Sequence, residues 1–190
     1  MAVTDPKVKG IAFRTIELCF AERYGQAARE RANEHLPTDL ADNFRLRLIL
    51  ASSWYSIEDY KACFRAFRAA TGAGVELSRE VGRLAARHDM AQVHKQLFAK
   101  LISPGALLSL SQRMFNNYYD TGSFKIVESQ RGFVRAQAAG CAGWDENMWA
   151  ELAGSSEALL EIAGAKHVRL RTTSGGRDGD DGVELEARWV

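Results

Sequence analysis

The closing stretch Val183-Glu184-Leu185-Glu186-Ala187-Arg188-Trp189 alternates apolar and polar side chains without a break. A period of two with one polar face marks an antiparallel strand that lays one side on a core and the other in water. Before it, residues 174–182 are rich in glycine and aspartate and read as a hairpin loop. Residues 166–173 then supply the partner strand. Further back, residues 149–163 are helical and stop at Gly164. Residues 124–128 and 132–138 are short and rich in branched or aromatic residues. Gln130-Arg131-Gly132 turns between them, so they predict a second hairpin.

Upstream of Asp120-Thr121-Gly122 the texture is helical. Ala12, Ile16, Cys19 and Phe20 form a stripe over 11–24, and an Ala-rich segment follows at 26–34. Residues 44–50 fit a helix better than a strand. Ser56 followed by Ile57-Glu58-Asp59 is an N-cap with acids in the first turn, which satisfies free N–H groups and suits the helix dipole. A helix is therefore expected over 57–70, ended by Thr71-Gly72-Ala73-Gly74. Longer helices follow over 78–102 and, past Pro104, over 105–119. Helices first and a small antiparallel sheet afterwards mean α+β. One domain spans 1–190, with a helical half at about 8–119 packed on a sheet-containing half at about 120–190.

The chain has 190 residues, 46% of them hydrophobic, which suits a single core. Its 25 Lys and Arg against 24 Asp and Glu leave a net charge of +1, so nothing favours nucleic-acid binding. The three cysteines, Cys19, Cys63 and Cys141, are odd in number and widely spaced, unlike a disulfide framework. The first ten residues lack the basic start and apolar run of a signal peptide, and no stretch reaches membrane-spanning length. A cytoplasmic setting is expected.

Motifs for catalysis or metal are weak. Asp178 and Asp180 would open a calcium loop, but Val183 then stands where the glycine belongs and Trp189 where the glutamate belongs. His88 and His94 sit about 240° apart around a helix, whereas helical metal pairs share a face. His35 and His167 are isolated. Cys19 and Cys63 lie on apolar faces, and Cys141 sits in a Gly-flanked loop where it could be exposed. No nucleophile elbow, phosphate loop or dinucleotide loop is present. No cofactor, no metal and no enzymatic activity are expected.

The aromatics Trp54, Tyr55, Tyr60, Phe64, Phe67, Phe98, Phe115, Tyr118 and Tyr119 could fill a core or line a pocket, which would use the same residue types. Val168, Leu170, Val183, Leu185, Ala187 and Trp189 form one apolar sheet face that helices must cover. The most aromatic helices are the natural covers. A cavity between helices and sheet is therefore expected, with Tyr60, Cys63, Phe64, Phe67, Leu97, Phe98, Leu101, Phe115 and Tyr118 as its candidate ligand-binding residues.

Ser53-Trp54-Tyr55-Ser56-Ile57-Glu58-Asp59-Tyr60, Val81-Gly82-Arg83, Leu101-Ile102-Ser103-Pro104, Tyr118-Tyr119-Asp120-x-Gly122 and Gly179-Asp180-x-x-Val183 to Trp189 occur in this order. The ordered set resembles a large paralogous family of myxobacterial proteins over nearly the whole chain. More distantly it resembles vinyl-reductase-type ligand-binding domains, whose superfamily includes H-NOX domains and subunits of the TRAPP tethering complex. The resemblance implies helices on a C-terminal antiparallel sheet, an internal site for a small apolar molecule, an acyl chain or haem, and dimerisation. Val183 stands where a second zinc-binding cysteine would be expected. The Tyr-x-Ser-x-Arg motif that holds haem propionates is absent, so His94 is not carried over as a haem ligand. Cys63 is the nearest match to the lipidated cysteine of tethering subunits. The expected role is a non-catalytic sensory or regulatory domain that binds a small apolar ligand and signals through a protein partner as a homodimer. The alternative is a dimeric interaction scaffold with a filled core.

Overall fold

The computed structural model describes residues 5–93 and 111–190. In chain order the elements are β1 (Lys7–Lys9), α1 (Gly10–Tyr24), α2 (Gln26–Glu34), α3 (Thr38–Arg45), β2 (Trp54–Ser56), α4 (Ile57–Thr71) and α5 (Glu76–Val93). Then come β3 (Ser123–Gln130), β4 (Phe133–Ala139), α6 (Glu146–Ile162), β5 (Arg169–Gly175) and β6 (Val183–Arg188). Residues 111–116 add a helical stretch before β3. The architecture is α+β, a helical N-terminal half followed by an antiparallel sheet of order β3-β4-β6-β5. The expected continuation of the long helix to 102, and Pro104, lie outside the described residues.

The alternation at the C-terminus folds as expected. Val183, Leu185 and Ala187 are buried on the inner face of β6, and Ala187 pairs across to Val134 on one side and Leu170 on the other. Phe124 and Ile126 of β3 extend that face through their partners Ala138 and Ala136. The outer face carries an ionic lattice in which Arg135 and Arg171 both reach Glu186.

Two helix starts follow directly from their caps. Ser56 Oγ accepts from the Glu58 N–H at 3.1 Å, and the Asp145 carboxylate accepts from the N–H groups of Asn147 and Met148. Each satisfies donors that a helix leaves free at its N-terminus.

The segment 44–50 departs from expectation. The helix begins earlier, at Thr38 behind Pro37, and its buried stripe of Leu40, Ala41 and Phe44 is exhausted before Arg45. Arg47 then turns left-handed at φ 56°, and Leu46, Leu48 and Leu50 stay 64%, 55% and 61% exposed. The spacing of those leucines therefore serves no buried face. The strands β1 and β2 were not anticipated, since three residues carry no readable period. They pair Val8 with Tyr55 and bring Val8 beside Tyr119.

Helices α5 and α6 cross at two glycines. A Cβ on Gly82 would fall 2.3 Å from the Glu151 carbonyl oxygen, and one on Gly154 would fall 2.0 Å from that of Arg79. A ladder of ions flanks the crossing: Arg79 and Arg83 share Glu157, and Arg83 and Arg87 share Glu161. Arg79 also donates to the Leu170 carbonyl at 2.8 Å, tying the helix pair to β5. Among the described residues no helix is long and apolar enough to cross a membrane.

Candidate functional site

A cavity of about 150 Å³ lies between the helices and the inner face of the sheet. Its floor is the strand face just described, with Phe124, Ile126, Val134, Ala136, Leu170, Leu185 and Ala187. Its walls are Ala12, Thr15 and Ile16 of α1, Tyr60 of α4, Ala85, Asp89 and Met90 of α5, and Glu151, Leu152 and Ser155 of α6. Met114, Phe115, Tyr118 and Tyr119 close a further side. The lining is mostly apolar because the sheet and each helix turn their hydrophobic stripes toward it.

Two carboxylates interrupt that lining. Asp89 accepts from Thr15 Oγ1 at 2.9 Å and from the Tyr118 hydroxyl at 2.8 Å. Glu151 accepts from the Tyr119 hydroxyl at 2.8 Å. Ser155 Oγ lies 3.2 Å from Glu151 and 3.1 Å from the Gly82 carbonyl, and its single proton serves one of them at a time. Burial raises the Glu151 carboxyl to about 7; the donors Tyr119 and Ser155 oppose that rise, and the nearby Asp89 adds to it. Tyr118 and Tyr119 are pushed upward, first by burial and then by the carboxylates they face. Tyr60 is raised well above the ordinary phenol value by burial and by Glu151.

The tyrosines are positioned from several directions. The Lys9 N–H donates to the Tyr118 carbonyl at 2.8 Å, so β1 fixes this pair from outside. Tyr119 packs at 4.9 Å from Phe115 and 4.7 Å from Trp144, and Trp144 lies 4.6 Å from Trp149. The indole N–H groups of Trp144 and Trp149 are buried and find no partner among the described residues.

Of the residues singled out from sequence, Tyr60, Phe115 and Tyr118 come together on the cavity wall. Phe64 and Phe67 are buried elsewhere: Phe67 stacks on Phe20 at 4.1 Å, and Phe64 packs edge-on against Tyr60 and Phe67. Cys63 is buried beside them, with its thiol 3.3 Å from the Asp59 carbonyl. Leu97, Phe98 and Leu101 lie outside the described residues, as does His94. Asp89 and Glu151 were missed. The available signal was a glutamate set among Met148, Leu152 and Ser155, on the side of α6 that also carries the apolar residues.

The cysteine expectations divide. Cys19 and Cys63 are core residues, and burial raises the Cys19 thiol to about 12. Cys141 is not exposed. Its N–H donates to the Asp181 carbonyl, its side chain packs against Gly122, and burial raises the thiol to about 11. Among the described residues no group of three or more His, Cys, Asp or Glu side chains could hold a metal ion.

No family model matches the chain, and no curated protein matches it in sequence. Solved structures do. An oxygen-binding H-NOX domain related to soluble guanylate cyclases superposes with a TM-score of 0.70 at 13% identity, over 95% of this chain and 94% of that one. A mutant Fe(II) unliganded H-NOX protein from K. algicida gives 0.70 at 11% identity, over 96% of each. A mutant H-NOX from T. tengcongensis gives 0.68 at 13% identity, over 95% and 97%. The chain therefore has the fold of H-NOX domains.

Proposed function

We propose that this chain is a non-catalytic regulatory domain that holds a small, largely apolar molecule in the cavity between its helices and its sheet. The observation that carries the reading is the cavity itself: about 150 Å³, floored by the apolar sheet face and walled by four helices and the segment 114–119. A cavity of roughly 150 Å³ has room for a benzene-sized guest. The three thiols lie away from it and are held protonated, and both cavity carboxylates are engaged by hydroxyl donors, which supports a binding role over a catalytic one.

Haem is the group suggested by H-NOX proteins, some of which are described through the distortion of their haem. The described residues fit it poorly at the propionates. Haem iron takes an axial His, Cys, Met or Tyr, and its propionates favour basic partners. The described lining offers Met90, Met114 and Tyr60 as axial-ligand types, but it holds no Lys, Arg or His for the propionates and presents two carboxylates instead. The phenols of Tyr118 and Tyr119 are committed to those carboxylates. The volume is also below the roughly 300–1,000 Å³ of ordinary cofactor-sized pockets.

The scaffold reading has one supporting observation, the exposed Leu46, Leu48 and Leu50 on the loop leading into β2 and Trp54 at its start. In a cytoplasmic homodimer this apolar loop would be the contact surface for a second copy or a protein partner. The deciding experiment is a thermal melt with and without toluene, together with mass analysis of organic extracts from purified protein. A concentration-dependent rise in Tm supports the binding domain. No shift with toluene and no retained molecule would leave the scaffold.

A further inference from the structure

We propose that the loop between α3 and β2, together with the β1–β2 ribbon, docks the protein on an anionic lipid surface. Leu46, Leu48 and Leu50 enter the acyl boundary, while Trp54 and the cations Lys7, Lys9, Arg45 and Arg47 stay among the headgroups. The cavity takes no part in this contact, so the assignment stands or falls apart from the binding reading above.

The leucines are outside because the backbone holds them there. Each is more than half exposed, whereas Ile49 between Leu48 and Leu50 is buried. The Leu48 N–H donates to the Asn43 carbonyl and the Leu50 N–H to the Tyr55 hydroxyl, both at 2.8 Å. The N–H groups of Gly10 and Ile11 donate to the carbonyls of Ser53 and Ala51. A Cβ on Gly10 would fall 2.1 Å from the Leu50 carbonyl oxygen, so the start of α1 is pressed directly against the loop. Arg47 holds a left-handed φ of 56°, an uncommon conformation for a residue other than glycine. A loop pinned at this many points does not fold its leucines inward to escape water. Neighbouring apolar side chains kept exposed in this way mark a contact surface.

Charge selects the partner. Between Asp42 and Glu58 the chain has two arginines and no acid, and β1 adds Lys7 and Lys9 with no acid between them. The pairing of β1 with β2 sets Lys7 opposite Ser56 and Lys9 opposite Trp54, with the Lys9 ammonium 5.1 Å from the indole ring. Arg45 meets Asp42 at 2.6 Å at the helix end of the loop, where both side chains are open to water. Cations beside exposed leucines and a tryptophan match the two layers of a membrane interface, anionic headgroups above and acyl chains below. Long Lys and Arg side chains keep their charges at the headgroups while their stems lie along apolar surface.

Area argues against a second copy of the chain. Three leucines and part of one tryptophan present at most a few hundred Å², whereas a stable protein–protein interface takes about 800 Å² from each partner. Entry into a bilayer needs no matching surface, only side chains that gain by leaving water.

The test is flotation of the full chain with vesicles of phosphatidylcholine alone and of phosphatidylcholine with one-third phosphatidylglycerol. The expected result is at least tenfold stronger partitioning to the anionic vesicles, falling at high salt as the charges are screened. The triple variant Leu46→Ser, Leu48→Ser, Leu50→Ser should lose at least tenfold in partitioning. The double variant Arg45→Gln, Arg47→Gln should lose the preference for anionic vesicles. All five side chains are exposed, so an unchanged melt by circular dichroism reports that each variant is folded. No partitioning, equal partitioning to both vesicles, or partitioning that the leucine substitutions leave unchanged overturns the proposal. A dimer in solution that those substitutions split, without vesicle binding, overturns it too and gives the loop to a second copy.

Discussion

The hydroxyl of Tyr119 sits 2.8 Å from Oε2 of Glu151, and both side chains are buried. A phenol donating to a carboxylate favours the ionised acid, yet burial wins and the carboxyl rises from 4.5 to about 7. The folded state therefore binds the Glu151 proton more tightly than the unfolded state does. Stability from this group is greatest below about pH 4.5 and falls as pH climbs to about 7. The loss amounts to about 3 kcal/mol at roughly 1.4 kcal/mol per pH unit. Urea denaturation at pH 5 and pH 8 should show it, and Glu151→Gln should shrink the difference between the two pH values.

Tyr118→Phe keeps the ring and removes one of the two donors to Asp89, leaving Thr15 at 2.9 Å. Depriving a buried carboxylate of a partner costs about 1–3 kcal/mol. A matching fall in unfolding free energy is expected. No change in urea midpoint would mean that Asp89 is solvated where it stands.

Gly154→Ala raises helix propensity by about 1 kcal/mol, which alone would stabilise. Its Cβ, however, would fall 2.0 Å from the Arg79 carbonyl oxygen, a backbone atom that cannot rotate away. Overpacking of this kind costs about 1–3 kcal/mol. The net expectation is a lower Tm, measured by circular dichroism, whereas the same change at Gly164, where a Cβ meets nothing within 4 Å but φ is 95°, tests backbone strain alone.

All three thiols should resist alkylation in the native protein. Each is buried, and the raised values leave almost no thiolate at pH 8. Iodoacetamide should label them at the rate of unfolding; rapid native labelling of Cys141 would show that its loop opens.

What could be read from the chain was what repeats. The alternation from Val183 to Ala187 predicted β6 because a one-sided strand leaves no other pattern, and Ser56 announced α4 because its hydroxyl caps that helix. The lone pair β1–β2 has no period to read. The aromatic stripe of α4 showed which side chains are buried but not against what. Tyr60 reaches the cavity, while Phe64 and Phe67 turn to the rings of α1 and α4. Asp89 and Glu151 escaped because an acid in a helix ordinarily marks the solvent side, and only three-dimensional closure turns these two inward.

The glycine crossing of α5 and α6 has a mechanical consequence. Asp89 and Glu151 ride on these two helices, whose backbones touch with no side chain between them at Gly82 and Gly154. The crossing acts as a fixed fulcrum, so the carboxylate-bearing jaw of the cavity cannot spread by sliding one helix over the other. Accommodation of a larger guest falls to the side formed by residues 114–119, where the pliable thioether of Met114 can re-pack.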